Sequence, residues 1–247
     1  HMGVEGGPKI VTEGLVFAMD AGSERSYNTT DSTVAQSIVS NTVYTGSLIG
    51  GTSFSSDNGG SFVFDGSNDR IQVEYDSYWD QHVFGEAMNF TISCWANADS
   101  FFNWTSLIHK AHNAGGWYSN TEGAGIWINA GGYQAVFGSG VQSNPSGWGS
   151  IISYTTSDTG EWYNLTFTGD GSTGRFYVDG IQQGTMNLNA RTVAVSTSEN
   201  GPTLGARAVD GAFYDGKATC YLFYDRGLTA AEVLQNFNAY KNRFDLS

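Results

Sequence analysis

Phe90-Thr91-Ile92-Ser93-Cys94-Trp95-Ala96 is the stretch whose alternation decides the fold class. Successive side chains of a β-strand point to opposite faces, so Phe90, Ile92 and Cys94 share one face while Thr91, Ser93 and Trp95 share the other. One face is expected to enter a core and the other to meet water or a ligand. The same reading marks further strands at 15–19, 61–64, 71–75, 106–110, 125–129, 133–137, 162–168, 175–178 and 220–224. Asp179-Gly180, between Phe176-Tyr177-Val178 and Ile181-Gln182-Gln183, predicts a tight hairpin because both turn residues tolerate positive φ. Gly131-Gly132, between Ile126-Trp127-Ile128 and Ala135-Val136-Phe137, predicts a second.

Only the C-terminal end reads as helix. Thr229-Ala230-Ala231-Glu232 is a capping box, Leu228 and Val233 are placed for a hydrophobic staple, and Val233, Leu234, Phe237 and Tyr240 recur at helical spacing. The composition agrees: 33 Gly and 3 Pro with only 14% charged residues favour short strands and turns. The length of 247 residues suits one large sandwich, so residues 9–247 are read as one domain and 1–8 as a tag remnant and N-terminal arm.

A formal charge of -13 repels phosphate backbones and anionic lipid heads, which argues against nucleic-acid and peripheral membrane binding. No apolar run is long enough to insert in a membrane, and no signal peptide is seen. Cys94 and Cys220 lie in apolar strand-like runs, where buried thiols or a cross-strand disulfide both remain open.

Two groups of residues invite a functional reading. Asp65-Gly66-Ser67-Asn68-Asp69 offers oxygen ligands in a tight loop, with Asp20 as a further carboxylate; calcium and an ordinary turn are the alternatives for Asp20, Asp65, Asn68 and Asp69. The segment 104–148 gathers Trp104, His109, His112, Trp117, Tyr118, Tyr133 and Trp148 among Asn, Ser and Gly. Aromatic faces stack on the C–H surfaces of sugars while amides and hydroxyls bond their hydroxyls, so this mixture suits carbohydrate; packing in a core is the alternative, and it is the one favoured for Trp127. His109 and His112 lack a third ligand at metal spacing. Glu74 and Asp76 come nearest to the alternating acids of a sandwich glycosidase, but they sit at a segment end. The stretch 169–174 has glycines but no lysine for a phosphate loop and reads as a turn.

Taken in order, Gly14-Leu15-Val16-Phe17-Ala18-Met19-Asp20, Gly60-Ser61-Phe62-Val63-Phe64-Asp65-Gly66, Phe90 to Trp95, Trp162-Tyr163-Asn164-Leu165-Thr166-Phe167, Phe176-Tyr177-Val178-Asp179-Gly180 and Tyr224-Asp225-Arg226-Gly227-Leu228-Thr229 resemble the laminin-G-like, concanavalin A-like lectin/glucanase family. The resemblance spans nearly the whole chain. It implies an all-β fold, a two-sheet antiparallel jelly-roll sandwich with a short C-terminal helix. The opening Gly7-Pro8-Lys9-Ile10-Val11-Thr12-Glu13-Gly14 and the closing 232–241 resemble a branch common in virion structural proteins of tailed marine bacteriophages. That branch implies a non-catalytic, lectin-like module on the virion surface. Its partners would be bacterial surface or environmental polysaccharide and other virion subunits, and a homo-oligomer would add avidity. A structural decoration or assembly role is the alternative. No cofactor is required by this reading; the family can hold structural calcium, but Thr219-Cys220 stands where many relatives carry an acidic pair, which weakens that expectation.

Overall fold

Alternating apolar side chains and glycine-rich turns produce sixteen strands and one α-helix among the described residues. A computed structural model of the chain describes residues 9–30, 33–39, 43–84, 88–102, 104–110, 123–129, 131–138, 150–188, 201–207 and 212–246. The strands are β1 (Leu15–Met19), β2 (Val34–Gln36), β3 (Thr45–Ile49), β4 (Ser53–Ser55), β5 (Ser61–Asp65), β6 (Arg70–Val73), β7 (Asn89–Ala98) and β8 (Thr105–His109). They continue as β9 (Gly123–Asn129), β10 (Gly132–Gly138), β11 (Ser150–Thr155), β12 (Trp162–Asp170), β13 (Thr173–Val178), β14 (Ile181–Asn187), β15 (Thr203–Leu204) and β16 (Asp215–Tyr224), before helix α1 (Ala230–Tyr240).

Two antiparallel sheets form. The first runs β14-β13-β12-β7-β16-β5-β4, with β1 also paired to β16; the second runs β11-β10-β9-β8-β15-β6-β3-β2. Neighbours distant in sequence, such as β7 beside β16, give the jelly-roll crossovers. Between the sheets, Phe17, Phe62, Ile92, Phe167 and Phe223 face Ile71, Ile108, Ile126 and Ile128, all buried. Phe90 of the first sheet stacks on Phe137 of the second at 6.1 Å, joining the layers. Each such side chain contributes roughly 1.5–3 kcal/mol by leaving water.

Both faces of β7 are buried, which corrects the expectation of a wet second face. Its outward Trp95 stacks on Phe244 at 4.2 Å and on Phe237 of α1 at 5.7 Å. Cys94 faces the inter-sheet core while Cys220 lies in this outer cluster, so the two thiols sit on opposite faces and remain free.

The helix closes over the first sheet because its start is fixed chemically. Glu232 N–H donates to Thr229 Oγ1 at 3.3 Å and Thr229 N–H to Glu232 Oε2 at 2.8 Å, completing the capping box. Leu228 and Val233 share a buried cluster, as the staple requires. Leu234 departs from the expected buried stripe: it is 45% exposed. The Asp179-Gly180 turn has φ values of 52° and 76°, the left-handed pair that Asp-Gly supplies most readily. A Cβ on Gly180 would come within 2.9 Å of Leu234 Cδ1, so a small residue also lets the helix approach the hairpin. Among the described residues no helix is long and apolar enough to cross a membrane.

Candidate functional site

With α1 laid over the first sheet, the outward face of the second sheet is the other broad surface of the sandwich. Antiparallel register sets Val136, Gly125, His109, Thr203, Gln72 and Ser47 side by side across β10, β9, β8, β15, β6 and β3. Gln72 ties this row together: its Nε2 donates to Gly201 O at 3.0 Å and its Oε1 accepts from Thr203 Oγ1 at 3.0 Å. Trp127 also points away from the inter-sheet core yet is buried, with the Arg207 guanidinium 5.2 Å above its ring and His109 edge-on at 5.5 Å. Burial, reinforced by the Arg207 and Lys110 charges, pulls the His109 imidazole down to about 3, so it is neutral at physiological pH.

At the end of this face lies a shallow groove of about 210 Å³, lined by Thr45, Ser47, Gln72, Val73, Glu74, Tyr75 and Gly201. Tyr75 is 38% exposed. Its hydroxyl donates to Asp80 Oδ2 at 3.3 Å, and Lys110 Nζ sits 5.7 Å from the ring centroid. Lys110 and Asp80 form a buried ion pair beneath it. Burial pulls the Lys110 ammonium below its ordinary value, and the Asp80 carboxylate opposes that pull. The outcome is an accessible aromatic ring fixed in place, next to a carboxylate: Glu74 is exposed and its Oε2 accepts from Thr45 Oγ1 at 2.8 Å. Asp76 turns to other partners, accepting from Tyr44 OH at 3.2 Å and Tyr78 N–H at 2.8 Å.

Of the aromatic residues expected to meet sugar, Trp104 is partly exposed just before β8, beside Phe102, which is 63% exposed. Tyr133 and His109 are corrections. Tyr133 pairs with Ile128 and points into the core, and His109, though outward, is buried beside Trp127; neither ring is accessible to a ligand from solvent. His112, Trp117, Tyr118 and Trp148 lie outside the described residues.

The calcium candidates each take protein partners. Asp20 takes a two-pronged contact from Arg243 Nη1, at 2.9 and 2.8 Å. That guanidinium also donates to Asn58 O at 2.6 Å and to Gly60 O, filling with a fixed positive charge the place a cation would take at Asp20. The other acids close a turn: Ser67 N–H donates to Asp65 Oδ1 at 2.8 Å and Asp65 N–H to Asp69 Oδ2 at 3.0 Å, while Asn68 packs on Gly50. Burial raises the Asp69 carboxyl above its ordinary value. Among the described residues no three acidic, His or Cys groups converge as metal ligands, while Asp69 Oδ1 is buried without a hydrogen-bond partner.

Fold and groove define a lectin-type jelly roll with one sheet face capped by a helix and the other carrying an open groove. The chain belongs to the laminin-G family described as the concanavalin A-like lectin/glucanases superfamily, which residues 65–234 match. No curated protein matches the chain in sequence. Among solved structures it is similar to domain 4 of AbnA, a GH43 extracellular arabinanase from Geobacillus stearothermophilus, in complex with arabinotriose: TM-score 0.60, 15% identity, 91% of this chain and 98% of that one. It is also similar to the binding domain of botulinum neurotoxin DC in complex with SialylT, at TM-score 0.65 and 11% identity, covering 93% of this chain and 52% of that one. The binding domain of Paraclostridial Mosquitocidal Protein 1 follows at TM-score 0.58 and 16% identity, covering 93% and 53%. The chain thus spans about half the length of the toxin chains and nearly all of the arabinanase domain. Identities this low carry the fold alone.

Proposed function

We propose that the chain is a non-catalytic, lectin-like carbohydrate-binding module of a phage virion protein, displayed on the virion surface and attaching the particle to host or environmental glycans. The observation that carries the carbohydrate part is the Tyr75 ring, accessible and fixed over the Lys110–Asp80 pair at the edge of a polar groove. A sugar's C–H face stacks on such a ring while its hydroxyls bond Glu74 and Ser47. Two fold neighbours were solved as complexes, one with arabinotriose, which supports the same use of the fold. The phage setting rests on the resemblance at residues 7–14 and 232–241. In this reading Trp104, with His112, Trp117, Tyr118 and Trp148, supplies further contacts. A shallow groove binds weakly, and display in several copies on a particle multiplies such contacts. Binding of folded, multivalent protein to a glycan array and to whole bacterial cells tests this. Binding that Tyr75→Ala abolishes without changing the circular-dichroism spectrum is expected; no binding to any glycan or cell overturns it.

A second reading, a virion decoration or assembly protein, is favoured by one observation: Ile181 is 67% and Leu234 45% exposed, on the hairpin and helix that abut at Gly180. Co-sedimentation with particles, lost in Ile181→Asp, would favour it.

A further inference from the structure

The Tyr75 groove can be assigned a ligand charge class as well as a ligand type. Resting on the carbohydrate reading above, we propose that this groove selects neutral or amino sugars and rejects acidic ones, with Glu74 as the residue that sets the preference.

Few polar groups of the groove are left for a ligand to bond. Gln72 lines the groove, but its amide is spent on both sides, donating to Gly201 O and accepting from Thr203. Thr45 gives its hydroxyl proton to Glu74. What the lining presents outward is therefore the second oxygen of Glu74, which only accepts, and the hydroxyl of Ser47, which accepts or donates, beside the Tyr75 ring. Sugar hydroxyls and ammonium groups supply the donors that such a lining needs, and a carboxylate or sulfate supplies none.

The charges point the same way. None of the described residues lining the groove is cationic. Lys110, the ammonium nearest Tyr75, is buried and committed to Asp80. Arg70 lies two positions before Gln72 on the same face of β6 and outside the lining. On the acidic side, the Tyr44 hydroxyl is pushed up to about 12 by burial, Asp76 and Glu74, so both carboxylates lie within electrostatic reach of that ring. An acidic sugar stacked on Tyr75 would bring a second negative charge to Glu74 with no cation among the described lining residues to pair it. Like charges a few ångströms apart near a protein surface repel strongly enough to cost tenfold or more in affinity.

A glycan array holding neutral, amino and acidic members, followed by titration calorimetry on matched pairs such as methyl-esterified and free-acid oligogalacturonate, tests the assignment. Neutral and amino hits are expected, with the acid form of a matched pair at least tenfold weaker and the gap narrowing as salt is raised. Glu74→Gln, a change at an exposed position where the amide oxygen can still accept from Thr45, should shrink that gap severalfold, with the acid and ester forms compared within the variant. Tyr75→Ala should abolish both. Hits confined to acidic glycans, or a gap that Glu74→Gln leaves unchanged, overturn the charge assignment but leave the carbohydrate reading standing. An array without any hit from folded, multivalent protein overturns both.

Discussion

Arg243 should be the most sensitive charged position outside the core. Arg243→Ala removes one guanidinium that bonds both oxygens of Asp20 at 2.8–2.9 Å, Asn58 O at 2.6 Å and Gly60 O, and lies 5.3 Å from the centre of the Phe244 ring. The side chains of the pair are only 18% and 16% exposed, so the loss is closer to that of a buried ion pair than of a surface one. Removing one partner of a buried pair costs roughly 3–5 kcal/mol. Partial water access lowers that to about 2–3, and two carbonyl acceptors left to find water add roughly 1–2 more. The sum is about 4 kcal/mol, or on the order of 8–16 °C in melting temperature for a chain of this size. Arg243→Lys keeps the charge but not the planar fork and should recover only part of the loss. Urea titration followed by tryptophan fluorescence measures it. Because the guanidinium already neutralises Asp20, EDTA and added calcium should leave the wild-type midpoint unchanged. A loss below about 1 kcal/mol would place the contact among ordinary exposed salt bridges and refute the reasoning.

Asp179→Asn should stabilise the protein by roughly 1–2 kcal/mol near pH 8, since burial holds the Asp179 carboxyl up at about 6, a tenfold change in proton affinity corresponds to about 1.4 kcal/mol, and Asn suits the left-handed turn. A folded pKa above the unfolded one gives stability that is present in acid and lost as pH rises; the gain should therefore vanish below about pH 4 and be complete above about pH 6, as paired denaturation curves would show. Glu232 is the opposite case: Arg226 holds its carboxyl down at about 2, so stability should fall as pH drops from about 4.5 toward 2, and Glu232→Gln should flatten that acid limb in urea titrations across pH. Thr229→Ala should cost about 1 kcal/mol by removing the helix cap, read from the melting temperature. Cys94 and Cys220 are buried and free, with thiols raised by desolvation, so Ellman's reagent should react only on unfolding and reductant should not shift the melting curve.

Much of the fold was legible because long strands carry their own pattern. β7, β12 and the β13–β14 hairpin could be read from alternation and Asp-Gly alone, and α1 from its capping box. The strands left unread are β2, β3, β4, β11 and β15. β4 is Ser-Phe-Ser and β15 only Thr-Leu, too short to alternate, while β2 and β11 are edge strands whose pairing is decided by a neighbour. The site was far less legible. Tyr133 is among the residues expected to meet sugar, yet the partner pattern decides otherwise: across the β9–β10 turn, Tyr133, Ala135 and Phe137 fall on the same face as Ile128, Ile126 and Ala124. Tyr75 and Asp80 lie five residues apart, but Lys110 reaches them from just past the end of β8, so no local spacing announces the three together. Arg243 and Asp20 stand near opposite ends of the chain for the same reason.

Trp95 and Trp127 show why alternation alone cannot locate a binding face. Each is the outward tryptophan of a central strand, flanked by residues that face the core, and the two read alike in the sequence. What separates them is what the rest of the chain lays over each sheet. On the first sheet, α1 and the segment after it put Phe237 and Phe244 flat against Trp95, with Trp162 and Cys220 in the same cluster. Val11 N–H donating to Asn236 at 2.8 Å and Tyr224 OH donating to Val11 O at 2.9 Å bind the segment before β1 to that cover. A ligand on that face would have to displace several buried aromatic side chains, each worth roughly 1.5–3 kcal/mol, which exceeds what a weak glycan contact returns. On the second sheet the cover over Trp127 includes a cation, Arg207, and the neighbouring strands end in polar groups around Tyr75. The capping box at Thr229, by fixing where the helix starts, thereby fixes which sheet the helix covers.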